Sequence, residues 1–97
     1  MIDAGDVFLA DLNEVLRRRV LVISTERFHR ASGRALVAPE ILGDPDEVPF
    51  PWRVQVEDGV YAVDLARSVP IDRLLDRTDR ATAATMAIVR RALLNIT

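Results

Sequence analysis

Three consecutive arginines, Arg17-Arg18-Arg19, stand directly before the apolar run Val20-Leu21-Val22-Ile23. A guanidinium is planar, permanently charged and forked to match two phosphate oxygens. Held rigidly at the mouth of a strand, it suits phosphate recognition, and it would stabilise a pentavalent phosphorane whose charge peaks in the transition state. The same run also reads as a solvated hairpin tip, since clustered charge is commonly solvated. Other chemistries have little to work with. Cysteine is absent, which removes thiolate nucleophiles, disulfides and thiolate metal sites. With His29 the one histidine, a zinc site would need several carboxylates that the spacing does not assemble, so no metal is expected. The four glycines stand singly at 5, 33, 43 and 59, and none opens a phosphate-binding loop. Ser24, Ser32 and Ser68 lack the Gly-x-Ser-x-Gly elbow of a hydrolase triad.

The elements that must position these arginines follow from patterning. Val7 to Leu12 is mostly apolar and predicts a strand; Val20 to Ile23 predicts a strand buried on both faces, and the two make an opening hairpin. A helical turn capped by Ser24 or Thr25 is expected next, then a turn at Ser32-Gly33 into a third strand, Arg34 to Pro39. Residues 43 to 51 hold three of the five prolines and three acids, the composition of a loop. Trp52 to Glu57 alternates with period two, Asp58-Gly59 would supply the positive φ of a tight turn, and Val60 to Ala66 would return as the partner strand. A short helical turn is expected over Asp72 to Asp76. A last helix is expected from about Asp79 to Ile96, capped by Thr78 or Asp79. Its apolar rows, Ala81-Ala84-Ile88-Ala92 and Met86-Val89-Leu93-Ile96, would pack on the sheet or on another subunit. The fold class expected is mainly β with a C-terminal α-helix, closing as a small open barrel over one domain, residues 1–97.

Charge is uneven although the formal sum is only -2. Six arginines lie between Arg17 and Arg34 against one acid, Glu26, while most carboxylates fall between Glu40 and Asp79, so one side should be basic. All 13 cations are arginine, which genome composition explains without function. The acidic N-terminus is unlike a signal peptide, and no apolar run approaches the length of a membrane span. A cytoplasmic protein with no membrane association is the expectation.

The order Gly5-Asp6-Val7-Phe8-Leu9-Ala10-Asp11-Leu12, Arg17-Arg18-Arg19-Val20-Leu21-Val22-Ile23-Ser24, Phe28-His29 and Ala35 to Pro39 resembles the MazF (PemK, Kid) toxins of bacterial toxin-antitoxin systems. Val63 to Val69 and Arg73-Leu74 are similar to that family's Asp-Gln-Ile-Arg-Thr-Ile and following Arg-Leu segments. The resemblance implies a small SH3-like (CcdB/MazF/Kid-type) barrel that forms a homodimer. It implies a cognate MazE-like antitoxin that holds it inactive, and metal-independent cleavage of single-stranded RNA, leaving a 2′,3′-cyclic phosphate, with no cofactor. It places the catalytic arginine at Arg18 and the arginine of the family's Gln-Ile-Arg segment at Arg67, expected to bind RNA; Arg17 and Arg19, from the arginine run itself, are expected as further RNA contacts. The sequence departs from the family: Arg19 stands where the family has proline, the loop between the first two strands lacks the family's Gly-Ser-Glu stretch, Ile41 stands where it has a threonine, and Leu65 where it has glutamine. Ser24, Thr25 or Glu40 could replace the missing hydroxyl, and each also reads as a cap or surface residue. His29 stands at the family's asparagine, where an imidazole could act as a base. Asp64-Leu65-Ala66-Arg67-Ser68-Val69-Pro70 and the terminal helix also resemble CcdB, a non-enzymatic toxin of the same superfamily that binds DNA gyrase. Its ending, Leu94-Asn95-Ile96-Thr97, lacks the Trp-Gly-Ile tail of that toxin. An RNA-binding relative without catalysis is a third reading.

Overall fold

The computed structural model describes residues 1–42 and 52–96. The expected loop at 43–51 lies outside the described residues. Strands β1 (Asp6–Ala10), β2 (Arg18–Val22) and β3 (Arg34–Ile41) form an antiparallel centre, with α1 (Glu26–Ser32) between β2 and β3. Strands β4 (Arg53–Val56) and β5 (Gly59–Ala62) make a hairpin, followed by β6 (Arg67–Pro70), β7 (Leu74–Arg80) and α2 (Ala83–Leu94). The sheet order is β4-β5-β3-β2-β1-β7, with β6 also on β3. The long β3 therefore carries β6 along Arg34 to Val37 and β5 at Glu40 and Ile41, and the sheet curls into a half-barrel. The expected class, mainly β with a C-terminal helix in a small barrel, is the one observed.

The continuous apolar runs are explained by burial on both faces. Along β2, Leu21 packs with Val7, Ala38, Tyr61, Met86 and Val89 under α2, while Val20 and Val22 pack oppositely with Phe8, Ala10, Ala35, Val37 and Val69. All three β2 residues are fully buried. Alternation fails as a signal there because both faces are core.

Thr25, not Ser24, caps α1, its hydroxyl accepting from Phe28 N–H at 3.3 Å. Gly33 ends that helix at φ 68°, its N–H donating to the His29 carbonyl. The β4–β5 hairpin forms, but positive φ falls on Glu57 (53°), not on Gly59. Val60 to Ala66 is a strand only as far as Ala62 and then a 3-10 turn, Val63–Leu65. The expected helical turn after Pro70 is a 3-10 turn at Ile71–Arg73, and the chain then enters β7 instead of coiling further.

Because β7 runs to Arg80, paired there with Asp6, α2 begins later than expected, and Thr82 supplies its cap by accepting from Thr85 N–H at 3.1 Å. Strand β7 has little apolar content, and its side chains are mostly exposed. What holds it is backbone pairing to β1 and charge. The Asp6 carboxylate, 1% exposed, takes Arg80 and Arg77, the latter at 3.2 Å, and Arg77 also lies 5.7 Å over the Phe8 ring. Of the two apolar rows on α2, Met86, Val89 and Ala92 are buried on the sheet, whereas Ile88 is 51% exposed. No helix among the described residues is long and apolar enough to cross a membrane.

Candidate functional site

The arginine triplet stands at the start of β2, after the segment that links it to β1. This segment and the end of β3 wall a groove of about 1050 Å³ lined by Leu9, Glu14 to Arg19, and Glu40 to Leu42. Arg18 and Arg19 are neighbours on an extended strand, so their side chains leave opposite faces. Arg18 Nη2 donates to Glu14 Oε2 at 2.8 Å, and both side chains remain accessible at 41% and 37%. Arg17 is exposed beside them. A guanidinium and a carboxylate in contact within an open groove offer a phosphate anchor and a proton acceptor side by side. Glu14 was not singled out from the sequence; a carboxylate four residues before the arginine was the available signal.

Arg19 has a different setting. Its guanidinium is bound by Glu40, by Asp58 at 3.0 Å and by Asp79 at 3.4 Å. Hydrogen bonds to Glu40 and Asp58 hold it more firmly protonated than a free arginine, and Arg19 keeps the exposed Asp58 carboxyl below the usual carboxylate range. The Arg19 fork is thus taken up by carboxylates of the protein itself. Glu40 is likewise engaged, so it is not a free substitute for the family threonine, and Thr25 serves as the α1 cap.

Beneath this cluster lies Tyr61, fully buried, with no hydrogen-bond partner for its hydroxyl among the described residues. Burial pushes its pKa up to about 12, against the opposing pull of Arg19. The folded value exceeds the ordinary one near ~10, so the folded protein binds this proton more tightly than the unfolded chain. The stability it confers is complete below about pH 10 and is lost as pH rises through about 12. Tyr61→Phe should therefore flatten the fall in Tm between about pH 10 and 12, with little change at pH 7, because no bond is removed. Parallel Tm profiles for the two proteins would sink this assignment.

Ser24 and His29 are brought together, but not with Arg18. Ser24 Oγ lies 2.6 Å from His29 Nε2, and His29 Nδ1 lies 2.9 Å from the Ile2 carbonyl, which only accepts. Nδ1–H thus donates to that carbonyl, while Nε2 shares its hydrogen bond with the Ser24 hydroxyl. Ser24 Oγ also accepts from Leu36 N–H at 2.8 Å. Both residues are buried, at 8% and 4% exposure. Six residues of extended chain, roughly 20 Å, separate Ser24 from Arg18. Within the chain, Ser24 and His29 therefore lie apart from Arg18, and the pair ties the N-terminus, α1 and β3 together. Ser24→Ala should lower the Tm by several degrees, having left a buried imidazole nitrogen and a buried N–H unpaired at about 1–3 kcal/mol. RNA cleavage at temperatures where the variant is folded should persist; a folded Ser24→Ala that cannot cut would reinstate Ser24 in catalysis.

Arg67 lies elsewhere, exposed on β6. It lines a second cleft of about 350 Å³ with Asp11, Leu12, Asn13, Ser68 and Arg73, its Nη2 only 3.5 Å from the Leu12 carbonyl. The segment from Asp11 to Arg17 separates the two depressions, with Asp11 to Asn13 facing one and Glu14 to Arg17 the other. Among the described residues no group of three or more His, Asp or Glu could hold a metal ion.

Fold and site together define a small curled β-barrel with arginines lining an open groove at the end of its central hairpin. The family model for PemK-like, MazF-like toxins of type II toxin-antitoxin systems matches residues 3–97, and the chain belongs to this family. No curated protein sequence matches it. Among solved structures it is similar to the MazE-MazF crystal structure (Form-I) from Deinococcus radiodurans, at 25% identity over 98% of this chain and 94% of that one, TM-score 0.80. It is also similar to an endoribonuclease from a mycobacterial species (20% identity, 97% and 88% covered, TM-score 0.81). The Mycobacterium tuberculosis toxin MazF-mt6 is a third (18% identity, 93% of each chain covered, TM-score 0.77).

Proposed function

We propose that this toxin is a metal-independent endoribonuclease of single-stranded RNA, acting in the cytoplasm. The observation that carries the reading is the accessible Arg18–Glu14 pair in the groove. Arg18 binds the nonbridging oxygens of the scissile phosphate and stabilises the phosphorane as its charge develops. Glu14 accepts the proton of the ribose 2′-hydroxyl as that oxygen attacks phosphorus. The 5′-oxygen leaves with a proton from solvent, giving a 2′,3′-cyclic phosphate and a 5′-hydroxyl. Arg17 holds a neighbouring phosphate, and Arg67 is placed to hold another beyond the 11–17 segment.

Departures from the family pattern bear on specificity and rate. Ile41 lines the groove where a hydroxyl was expected, and Leu65 is 53% exposed. Val15 and Leu42, both fully exposed, and Leu16, 79% exposed, add an apolar rim beside the arginines. That rim and the adjoining positive charge suit the tail of a cognate antitoxin bearing apolar and acidic side chains, which would compete with RNA. Support for the antitoxin comes from the family, and from a similar endoribonuclease solved in complex with its cognate antitoxin (20% identity, 97% and 90% covered, TM-score 0.77). The homodimer is part of the same proposal; Ile88, Leu94 and Ile96, exposed on and just after α2, are apolar surface available to it.

Incubation of the purified protein with a long single-stranded RNA in EDTA, followed by mapping of the new 5′ ends, tests the reading. Site-specific cuts ending in 5′-hydroxyls are expected. Intact RNA together with growth arrest on expression would overturn it in favour of a protein target such as gyrase.

A further inference from the structure

The backbone ladder between β2 and β3 runs through Val22↔Val37, Leu21↔Ala38 and Val20↔Pro39 and stops there. One further step of the same register sets Arg19 opposite Glu40, where side chains take over from the ladder. Arg19 Nε donates to Glu40 Oε1 at 3.2 Å, and Nη2 donates to Oε2. Nη1 donates to Asp58 in the β4–β5 turn and to Asp79 on β7. One guanidinium thereby links β2, β3, the β4–β5 turn and β7. The cluster is closely fitted: a Cβ on Gly59 would stand 2.7 Å from Glu40 Oε2 and 2.9 Å from the Tyr61 hydroxyl, so only glycine leaves Glu40 its place. With a side-chain exposure of 24% for Arg19 and 23% for Glu40, the pair is shielded more than a surface ion pair.

Arg18 has no comparable anchor. Among the described residues its ion pair is with Glu14, in the same exposed segment, and its only strand pairing is Ala10 of β1. Beyond that pairing, the adjacent Arg19 is what ties this end of β2 to β3, the β4–β5 turn and β7.

We propose that Arg19 is a positioning residue. Its four-way link, closed by Glu40, fixes the first residues of β2 and so aims the Arg18 guanidinium into the groove. This rests on the ribonuclease reading for its catalytic consequence, but not for the positioning itself. A displacement of about 1 Å at a catalytic group can cost about 10²-fold in rate, so the effect should fall on kcat, where alignment with the phosphorane matters, more than on KM.

The variants are Arg19→Gln, which keeps hydrogen-bonding capacity but leaves three carboxylates facing one another, and Glu40→Gln, which opens the link to β3 without that repulsion. The second keeps the test informative if the first does not fold. Two readouts apply. In 15N-edited NMR the Arg18 Nε–H signal, assigned by its loss in Arg18→Lys, should shift and gain fast mobility in the folded variant, while that of Arg67 stays in place. In the RNA assay kcat should fall about 30- to 100-fold with KM within about threefold. Adding either substitution to Arg18→Ala should cost little more than Arg18→Ala alone, because the link acts through Arg18. An unmoved Arg18 signal in a folded variant overturns the proposal, as does a loss that multiplies with that of Arg18→Ala. If the wild-type protein cuts no RNA, the ribonuclease reading falls while the NMR result still decides the positioning claim.

Discussion

Arg18→Ala is expected to reduce RNA cleavage by about 10²–10³-fold while lowering the Tm by no more than about 4–8 °C. The first figure is the usual cost of removing one preorganised group that stabilises transition-state charge. The second follows from the setting of the side chain. Its ion pair with Glu14 is largely exposed, and exposed pairs contribute ~0–1 kcal/mol. Loss of activity therefore cannot be assigned to unfolding, which makes this the cleanest separation of function from stability available in the molecule. Arg18→Lys should recover only a small part of the rate: the charge returns, but the planar fork does not. The measurements are single-turnover cleavage in EDTA and a thermal melt on the same preparations. A folded Arg18→Ala that cuts as fast as wild type would remove Arg18 from the mechanism and move attention to Arg67 and Arg73 across the 11–17 segment.

Leu21→Ala should have the largest effect on stability. Leu21 is fully buried on the middle strand, against Val7, Ala38, Tyr61, Met86 and Val89, so truncation leaves a cavity between sheet and helix. Comparable substitutions cost about 2–5 kcal/mol, which in a domain of this size lowers Tm by roughly 10 °C or more. Ile88→Ala supplies the contrast. That side chain stands on the outer row of the same helix, 51% exposed, and its removal should change the stability of an isolated chain by about 0.5 kcal/mol or less. If Leu21→Ala melts within about 3 °C of wild type, the packing of α2 on the sheet is not as described. A large, concentration-dependent effect of Ile88→Ala would mark the outer row as an interface between two copies.

Much of the fold is written locally. The β-branched apolar run Val20 to Val22 reads as a strand with core on both sides, and that is where it lies. Thr25 and Gly33 carry the start and end of α1 in their own chemistry, a hydroxyl acceptor and tolerance of positive φ. The arginine triplet, the absence of thiols and the single histidine narrow the chemistry without any knowledge of the fold. The family resemblance rested on the same short runs, and the match over residues 3–97 agrees with it.

Other features had no local signature. Strand β7 is invisible to periodicity because its side chains mostly face solvent; it forms through the β1 backbone and through Arg77 and Arg80 on the buried Asp6, more than 70 residues away in sequence. That pairing in turn displaced the start of α2. Gly59 looks like a turn glycine, yet its missing Cβ serves Glu40, and the positive φ sits on Glu57.

The division is sharpest at the site. The sequence by itself determined that no thiol is available and that three arginines stand together at the head of a buried strand. Only the tertiary structure decided which of them is free to act: Arg18 opens into the groove beside Glu14, Arg19 is bound by three acids, and His29 turns inward to Ser24. The reason is physical. Apolar periodicity and capping are encoded within a few residues, whereas Arg19 meets Glu40, Asp58 and Asp79 across separations of 21, 39 and 60 residues. Which side chains converge over such distances depends on strand register, and register exists only once the sheet has formed.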